Sequence, residues 1–159
     1  MKFVTYTTYR GEKPRFGFII NENIIDIMRS SIWLNEHNKD SSFLSIPTTL
    51  KLTLNEWNKN FDKLVKLEQL IADLDYSTLQ INGKSISIDL NDAHLLPPVP
   101  SPTSFRDFYA FEQHVKAARK LRGLDMNPDW YKIPIFYFSN TTSLYGHKED
   151  IPYPKETKE

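Results

Sequence analysis

An acidic residue and a histidine lie seven positions apart in the second half of the chain, at Asp107 and His114. On an α-helix this separation turns through about 700°, so both side chains would face the same side within about 20°. Arg122 would lie about 60° from Asp107 by the same count. A carboxylate can hold a hard cation, an imidazole can take a proton from water, and a guanidinium can bind a substrate carboxylate in two-point fashion.

Each of these residues also has an ordinary structural interpretation. Asp107 could be only a helix-capping acid, and His114 a surface residue of an amphipathic helix. Arg122 could be a solvated charge at a helix C-terminus. Two nearby tyrosines, Tyr109 and Tyr137, could be core residues with satisfied hydroxyls. The spacing therefore names no reaction by itself.

The elements that would position these residues follow a proline-rich stretch. Ser104 to Asp107 has the form of a capping box, which predicts a helix running to about Leu121 and ending at Gly123. Arg119, Lys120 and Arg122 suit the dipole of its last turn. The run from Ile133 to Phe138 predicts a buried strand.

The first part of the chain has the signals of a small α+β domain. Apolar runs around Phe3–Tyr6, Phe16–Ile20 and Ile24–Ile27 predict an antiparallel meander, and 30–35 a short helix. Apolar residues spaced by three and four predict one amphipathic helix over Asn55–Asp75. Asn82-Gly83 predicts a hairpin turn, because both residues accept positive φ.

Prolines divide the chain. Four of them fall between positions 97 and 102, where neither a helix nor a central strand can continue. We therefore expect an α+β domain over 1–94, a connector over 95–102, and a further domain that begins with the helix and strand of 103–159.

Composition excludes several classes of function. Twenty basic residues balance twenty acidic ones, so there is no electrostatic case for a nucleic-acid or membrane partner. The absence of cysteine excludes disulfides, thiolate catalysis and cysteine-ligated zinc. There is no glycine-rich phosphate loop, no evident signal peptide, and no apolar run long enough to span a bilayer. We expect a cytoplasmic protein.

Three blocks of sequence resemble the fumarylacetoacetate hydrolase family. They are Leu95-Leu96-Pro97-Pro98-Val99-Pro100, then Arg106 to His114 with its Asp-Phe-Tyr-x-x-x-Gln-His core, then Trp130-Tyr131 with Ile133 to Asn140. The blocks occur in the family's order and cover roughly 95–154. Residues 1–94 resemble the family's strand-rich N-terminal domain more loosely. The resemblance implies an α+β chain that continues into the opening helix and strand of a β-rich catalytic domain.

The resemblance also implies roles for particular residues. Asp107 matches a ligand of the catalytic divalent cation, Mg²⁺ or Ca²⁺ and possibly Mn²⁺. His114 matches the histidine that activates water. Tyr109, Arg122 and Tyr137 match residues that bind substrate. The implied reaction is hydrolysis of a carbon–carbon bond in a 2-oxo or β-diketo acid such as fumarylacetoacetate or an acylpyruvate.

The family's metal site needs ligands that this sequence does not contain. A Glu-x-Glu pair and a further Asp complete it in the family, whereas Glu156 and Glu159 are spaced by three in a lysine-rich tail. One acidic ligand makes no cage for a hard cation. We therefore expect the N-terminal part of a metal-dependent hydrolase with an incomplete metal site, whose partner is a second polypeptide or a homodimer mate. The alternative is a non-catalytic remnant or interaction module. If the downstream domain is absent, the apolar strand of Ile135, Phe136 and Phe138 is expected to be unpaired or exposed.

Overall fold

The structure, a computed structural model, describes residues 1–157 and has mixed α+β architecture. It consists of two compact units. The first comprises residues 1–100 together with the segment from Tyr145 onward, and the second comprises Ser101–Leu144. The boundary after Pro100 falls inside the proline-rich stretch, but that stretch is more than a connector, because Leu95 and Leu96 belong to a strand.

The first unit is built on a five-stranded antiparallel sheet. Its strands are β1 (Lys2–Thr7), β2 (Arg15–Ile20), β3 (Asn23–Asp26), β6 (Ser87–Asp89) and β7 (His94–Leu96), in the order β6-β3-β2-β1-β7. The predicted meander is β1-β2-β3. A separate hairpin joins β4 (Gln80–Ile81) to β5 (Lys84–Ser85) through Asn82 and Gly83, both at positive φ as the sequence predicted.

The helix after the meander is longer than predicted. Helix α1 spans Ile27–Asn38, not only 30–35, and Ile27 is its first residue rather than the end of a strand. The cause is Asp26, whose Oδ1 accepts a hydrogen bond from the Arg29 amide at 2.7 Å and so caps the helix. A 3₁₀ turn at Ser41–Ser45 follows α1.

The prediction of one helix over Asn55–Asp75 was wrong in its first turn. Helix α2 (Leu50–Asn55) ends at Asn55, because Glu56 leaves helical φ and ψ, and helix α3 (Trp57–Ala72) begins after it. The buried Asn60 side chain donates from Nδ2 to the Thr53 carbonyl at 3.0 Å, which satisfies one carbonyl that α2 leaves unpaired at its end. This hydrogen bond stabilises the break between α2 and α3.

The core lies between the sheet and the helices. Helix α3 contributes Leu64, Leu67 and Ile71, the predicted spacing of three and four, and all are fully buried. The other buried apolar members of the cluster come from β2, β3, α1, the 3₁₀ turn and the hairpin region: Phe16, Phe18, Ile25, Ile27, Leu34, Phe43, Ile46, Ile81 and Ile86. Among residues 1–157, no helix is long and apolar enough to cross a membrane.

The second unit is smaller. Strands β8 (Phe105–Phe108) and β9 (Phe136–Ser139) form a two-stranded antiparallel sheet, and helix α4 (Glu112–Leu121) and a 3₁₀ turn at Pro128–Tyr131 lie between them in sequence. This unit carries all five residues singled out from the sequence.

Candidate functional site

Asp107 lies on a strand, so the prediction that a helix begins at Ser104 was wrong. In β8, Asp107 is directly opposite Tyr137 of β9, while Phe105 is opposite Ser139. Directly opposed residues of an antiparallel pair have Cβ atoms about 4.5–5.5 Å apart on the same face. The carboxylate and the tyrosine therefore stand side by side on one face of the β8–β9 sheet.

Long-range pairing explains why this segment is not helical. Residues 105–108 contain two phenylalanines and gain a full ladder with 136–139 as a strand. The segment that is helical, Glu112–Leu121, is rich in alanine, lysine, arginine, glutamine and leucine, which have high helix propensity. Strand pairing therefore stabilises this segment more than the helix start that its capping-box sequence would allow.

Strand β9 lies where a strand was predicted and pairs with β8. It is exposed, which contradicts the prediction of a buried strand and agrees with the expectation of an exposed apolar strand. Phe136 is 38 % exposed and Phe138 is 72 % exposed. Both lie on the face opposite to Asp107, together with Phe108, by the alternation of a strand. Arg106 shares that face, and its guanidinium lies over both rings of β9 at 5.3 and 5.4 Å from their centroids.

Helix α4 supplies the imidazole and the guanidinium. His114 lies in its first turn and Arg122 is its C-cap. These residues and Ala118 are spaced by four, so they form one stripe along the helix. Gly123, at φ +70°, ends the helix as predicted, and its amide donates to the Lys120 carbonyl at 3.0 Å.

Tyr109 is held by three contacts. Its amide donates to the Ile135 carbonyl at 3.0 Å, and its carbonyl accepts from Trp130 Nε1 at 2.8 Å. Its ring meets the His114 ring edge to face, with centroids 5.6 Å apart. The connection between β8 and α4 is thus fixed on both sides, and it places the tyrosine beside the imidazole.

These elements enclose one open cavity of about 630 Å³. All five candidate residues line it, together with four neighbours: Asp107, Phe108, Tyr109, Ala110, Phe111, His114, Ala118, Arg122 and Tyr137. Sequence reasoning had not singled out Phe111 or Ala118. The spacing of four from His114 was a signal for Ala118, whereas nothing local marked Phe111, which is 80 % exposed.

An acid on α4 lies outside the cavity lining and is already engaged. Glu112 accepts hydrogen bonds from Lys116 and from the Tyr131 hydroxyl, each at 2.6 Å. The bond from Lys116, followed by that from Tyr131, holds the pKa of Glu112 below its usual range. Glu112 is thus a fixed anion at a helix N-terminus.

The side chains of the cavity do not make a complete site for a divalent cation. Asp107 is the only carboxylate among the lining residues. Among residues 1–157 no group of three or more potential ligands from His, Asp and Glu comes together. Magnesium and calcium need six or more oxygen ligands, of which protein carboxylates supply the charge. One carboxylate can anchor such an ion but cannot enclose it.

Comparison with known proteins adds no family: no protein-family model matches the chain, and no curated protein matches it.

Proposed function

We propose that the cavity of the second unit is one wall of the active site of a hydrolase that cleaves a carbon–carbon bond in 2-oxo or β-diketo acids. One observation carries the proposal. Five residues chosen from the sequence motif, from position 107 to position 137, line the same cavity, although Asp107 lies on a strand and not on the predicted helix. The resemblance to the fumarylacetoacetate hydrolase family supplies the substrate class, and the absence of cysteine fits a cytoplasmic setting.

The lining residues suit an acid with several oxygens. The Arg122 guanidinium can bind a carboxylate through two parallel hydrogen bonds. The hydroxyls of Tyr109 and Tyr137 can donate to keto oxygens. Phe111 and Ala118 leave an apolar surface for the remaining carbon chain. A cavity of about 630 Å³ has the volume of a small-molecule site.

The chain's own residues support a hydrolytic step. His114 takes a proton from water, and the water oxygen forms a bond to the carbonyl carbon remote from the substrate carboxylate. The bond from that carbon to the methylene between the two ketones then breaks. Its electron pair goes to the methylene carbon, which takes up a proton. An acylpyruvate thus gives a carboxylic acid and pyruvate.

Enzymes of that family require a divalent cation, and in this cavity only Asp107 could contribute a carboxylate ligand to it. Since Asp107 alone cannot complete its coordination, the remaining ligands come from further polypeptide, as a second chain or as chain beyond these 159 residues. The chain by itself is therefore proposed to bind the acid and to be inactive until those ligands are added.

The test separates binding from turnover. Acetopyruvate is titrated into the chain with Mg²⁺ present, and the His114 ring proton signals are followed by NMR. We expect saturable shifts, and Arg122→Gln is expected to weaken binding about tenfold, which corresponds to one charged hydrogen-bonded pair at about 1.4 kcal/mol. His94→Ala, an exposed histidine of β7, is the matched control and is expected to change nothing.

Turnover is then measured as loss of the β-diketo absorbance. The chain alone is expected to give none, and a polypeptide carrying the Glu-x-Glu pair is expected to restore it in the wild type but not in His114→Ala. If acetopyruvate shifts no cavity signal, or if Arg122→Gln binds as well as wild type, the proposed substrate class is wrong.

A second candidate is a non-catalytic interaction module derived from such an enzyme. The observation that favours it is the exposed face of β8 and β9 formed by Phe108, Phe136 and Phe138, which resembles a protein-binding surface more than a solvated one. Restoration of turnover by the added polypeptide would exclude this candidate. A complex that forms through this face without turnover would favour it.

A further inference from the structure

The first unit contains a second open cavity, of about 500 Å³. It is lined by the turn after β1, by the start of α1, by Thr48 and Thr49 before α2, and by the β4–β5 hairpin. None of its lining residues belongs to the candidate active site of the second unit.

Four cations line this cavity: Lys13, Arg15, Arg29 and Lys84. They come from the β1–β2 turn, β2, α1 and β5, and they converge although the chain as a whole is neutral. Like charges brought together cost free energy unless an anion compensates them.

Two carboxylates pair with the cations of this cavity, and both pair with the same arginine. Asp26 and Glu12 each form an ion pair with Arg15. Within the described residues, Lys13, Arg29 and Lys84 form no ion pair. Arg29 is nevertheless fixed, because its Nη1 donates to the Ser85 carbonyl at 2.8 Å. Four cations against two carboxylates leave about two uncompensated positive charges at the cavity.

The remaining wall is apolar. Phe16, Ile27 and Ile81 are buried and turn a surface toward the cavity, and Met28 flanks it while 53 % exposed. A site with a preformed apolar wall, one immobilised guanidinium and two exposed lysines suits an organic anion better than a bare inorganic ion. The hydroxyls of Thr48 and Thr49 are further donors at its rim.

We infer that this cavity of the first unit binds a small organic dianion, with its two negative charges toward Lys13, Arg29 and Lys84 and its carbon skeleton against Phe16 and Ile27. The dianion is either a phosphate monoester or a dicarboxylate, since both carry two charges near neutral pH. This site is independent of the hydrolase proposal.

Two probes distinguish the head groups. Phenyl phosphate and phthalate carry the same apolar ring with a phosphate or with two carboxylates, and each is titrated into the chain by isothermal calorimetry. Saturable binding of either one is expected, and the tighter probe identifies the head group. Benzoate, with one charge, and inorganic phosphate, without the ring, are both expected to bind at least tenfold more weakly. If both bind as tightly as the better probe, the assignment of an organic dianion is overturned.

Charge variants locate the site. The double variant Lys13→Gln/Lys84→Gln is expected to weaken binding of the better probe at least tenfold, because charge-assisted contacts to the anion are lost. Lys2→Gln/Lys120→Gln removes the same net charge from exposed positions that line neither cavity, and it is expected to leave binding unchanged. Equal weakening in both double variants would show that net charge alone attracts the anion. Loss of binding in Arg122→Gln would place the anion in the other cavity. Either result, or no saturable binding at all, overturns the inference.

Discussion

Replacement of Asp26 by alanine is expected to be the most destabilising change of a single polar side chain in the first unit. Asp26 is 2 % exposed and accepts hydrogen bonds from the Tyr6 hydroxyl at 2.8 Å and from the Arg29 amide at 2.7 Å. It also pairs with Arg15. One carboxylate thus joins β1 and β2 to the start of α1.

The magnitude follows from what each partner loses. Tyr6 is fully buried, so its hydroxyl is left without an acceptor, at about 1–3 kcal/mol. The uncapped start of α1 adds about 1 kcal/mol. Arg15 retains Glu12 at 3.6 Å and adds little. The total loss in the free energy of unfolding is about 2–4 kcal/mol, whereas Asp26→Asn keeps an acceptor and costs about half as much.

Urea unfolding followed by far-UV circular dichroism measures these values, and Asp62→Ala on the exposed face of α3 is the control, expected within about 0.5 kcal/mol of wild type. A double-mutant cycle tests the cause. Tyr6→Phe is expected to cost about 1 kcal/mol in the wild type, but to restore part of the lost stability in Asp26→Ala, where it removes the unpaired buried hydroxyl. An equal cost in both backgrounds, or a loss below 1 kcal/mol for Asp26→Ala, would refute the reasoning.

Three further outcomes are expected. Burial, followed by the charge of the neighbouring Asp26 carboxylate, raises the pKa of Tyr6. The protonated hydroxyl therefore stabilises the fold below the unfolded-state pKa of about 10, and this stabilisation is lost as pH rises above that value. Tyr6→Phe should flatten the fall in unfolding free energy at alkaline pH, and an unchanged slope would contradict this. Gly146→Ala should destabilise the chain by about 1–3 kcal/mol, because the new Cβ would lie 2.2 Å from the Leu95 carbonyl oxygen; wild-type stability in urea would show that the segment moves freely. Trp130→Phe removes the hydrogen bond to the Tyr109 carbonyl and should raise the acetopyruvate dissociation constant about fivefold, or about 1 kcal/mol; an unchanged constant by NMR titration would show that Tyr109 needs no such support.

Local sequence patterns predicted most elements of the first unit, because the strands and turns that they favour are also those that the antiparallel strand pairing stabilises. The meander, the Asn82-Gly83 turn and the buried stripe of α3 each follow from residues within a few positions of one another. The failures were at boundaries. A periodic apolar pattern continues through Glu56 without a signal for the break between α2 and α3, since the stabilising contact from Asn60 to Thr53 becomes visible only in three dimensions.

The second unit shows why the five candidate residues line one cavity although the predicted helix began too early in the sequence. A separation of seven positions between Asp107 and His114 fits two turns of one helix. It equally fits a strand that carries Asp107, followed by a short turn and by a helix whose first turn carries His114. Local spacing cannot separate these cases. The strand predicted near Ile133–Phe138 could have done so, because a strand needs a partner for its amides and carbonyls, and the aromatic residues of 105–108 were the nearest segment with strand propensity. Once β8 and β9 pair, Asp107 and Tyr137 are forced onto one face and the stripe of His114 and Arg122 meets it. The cavity is thus a consequence of strand pairing, and a variant that breaks the β8–β9 ladder should remove the carboxylate from the histidine even if α4 stays intact.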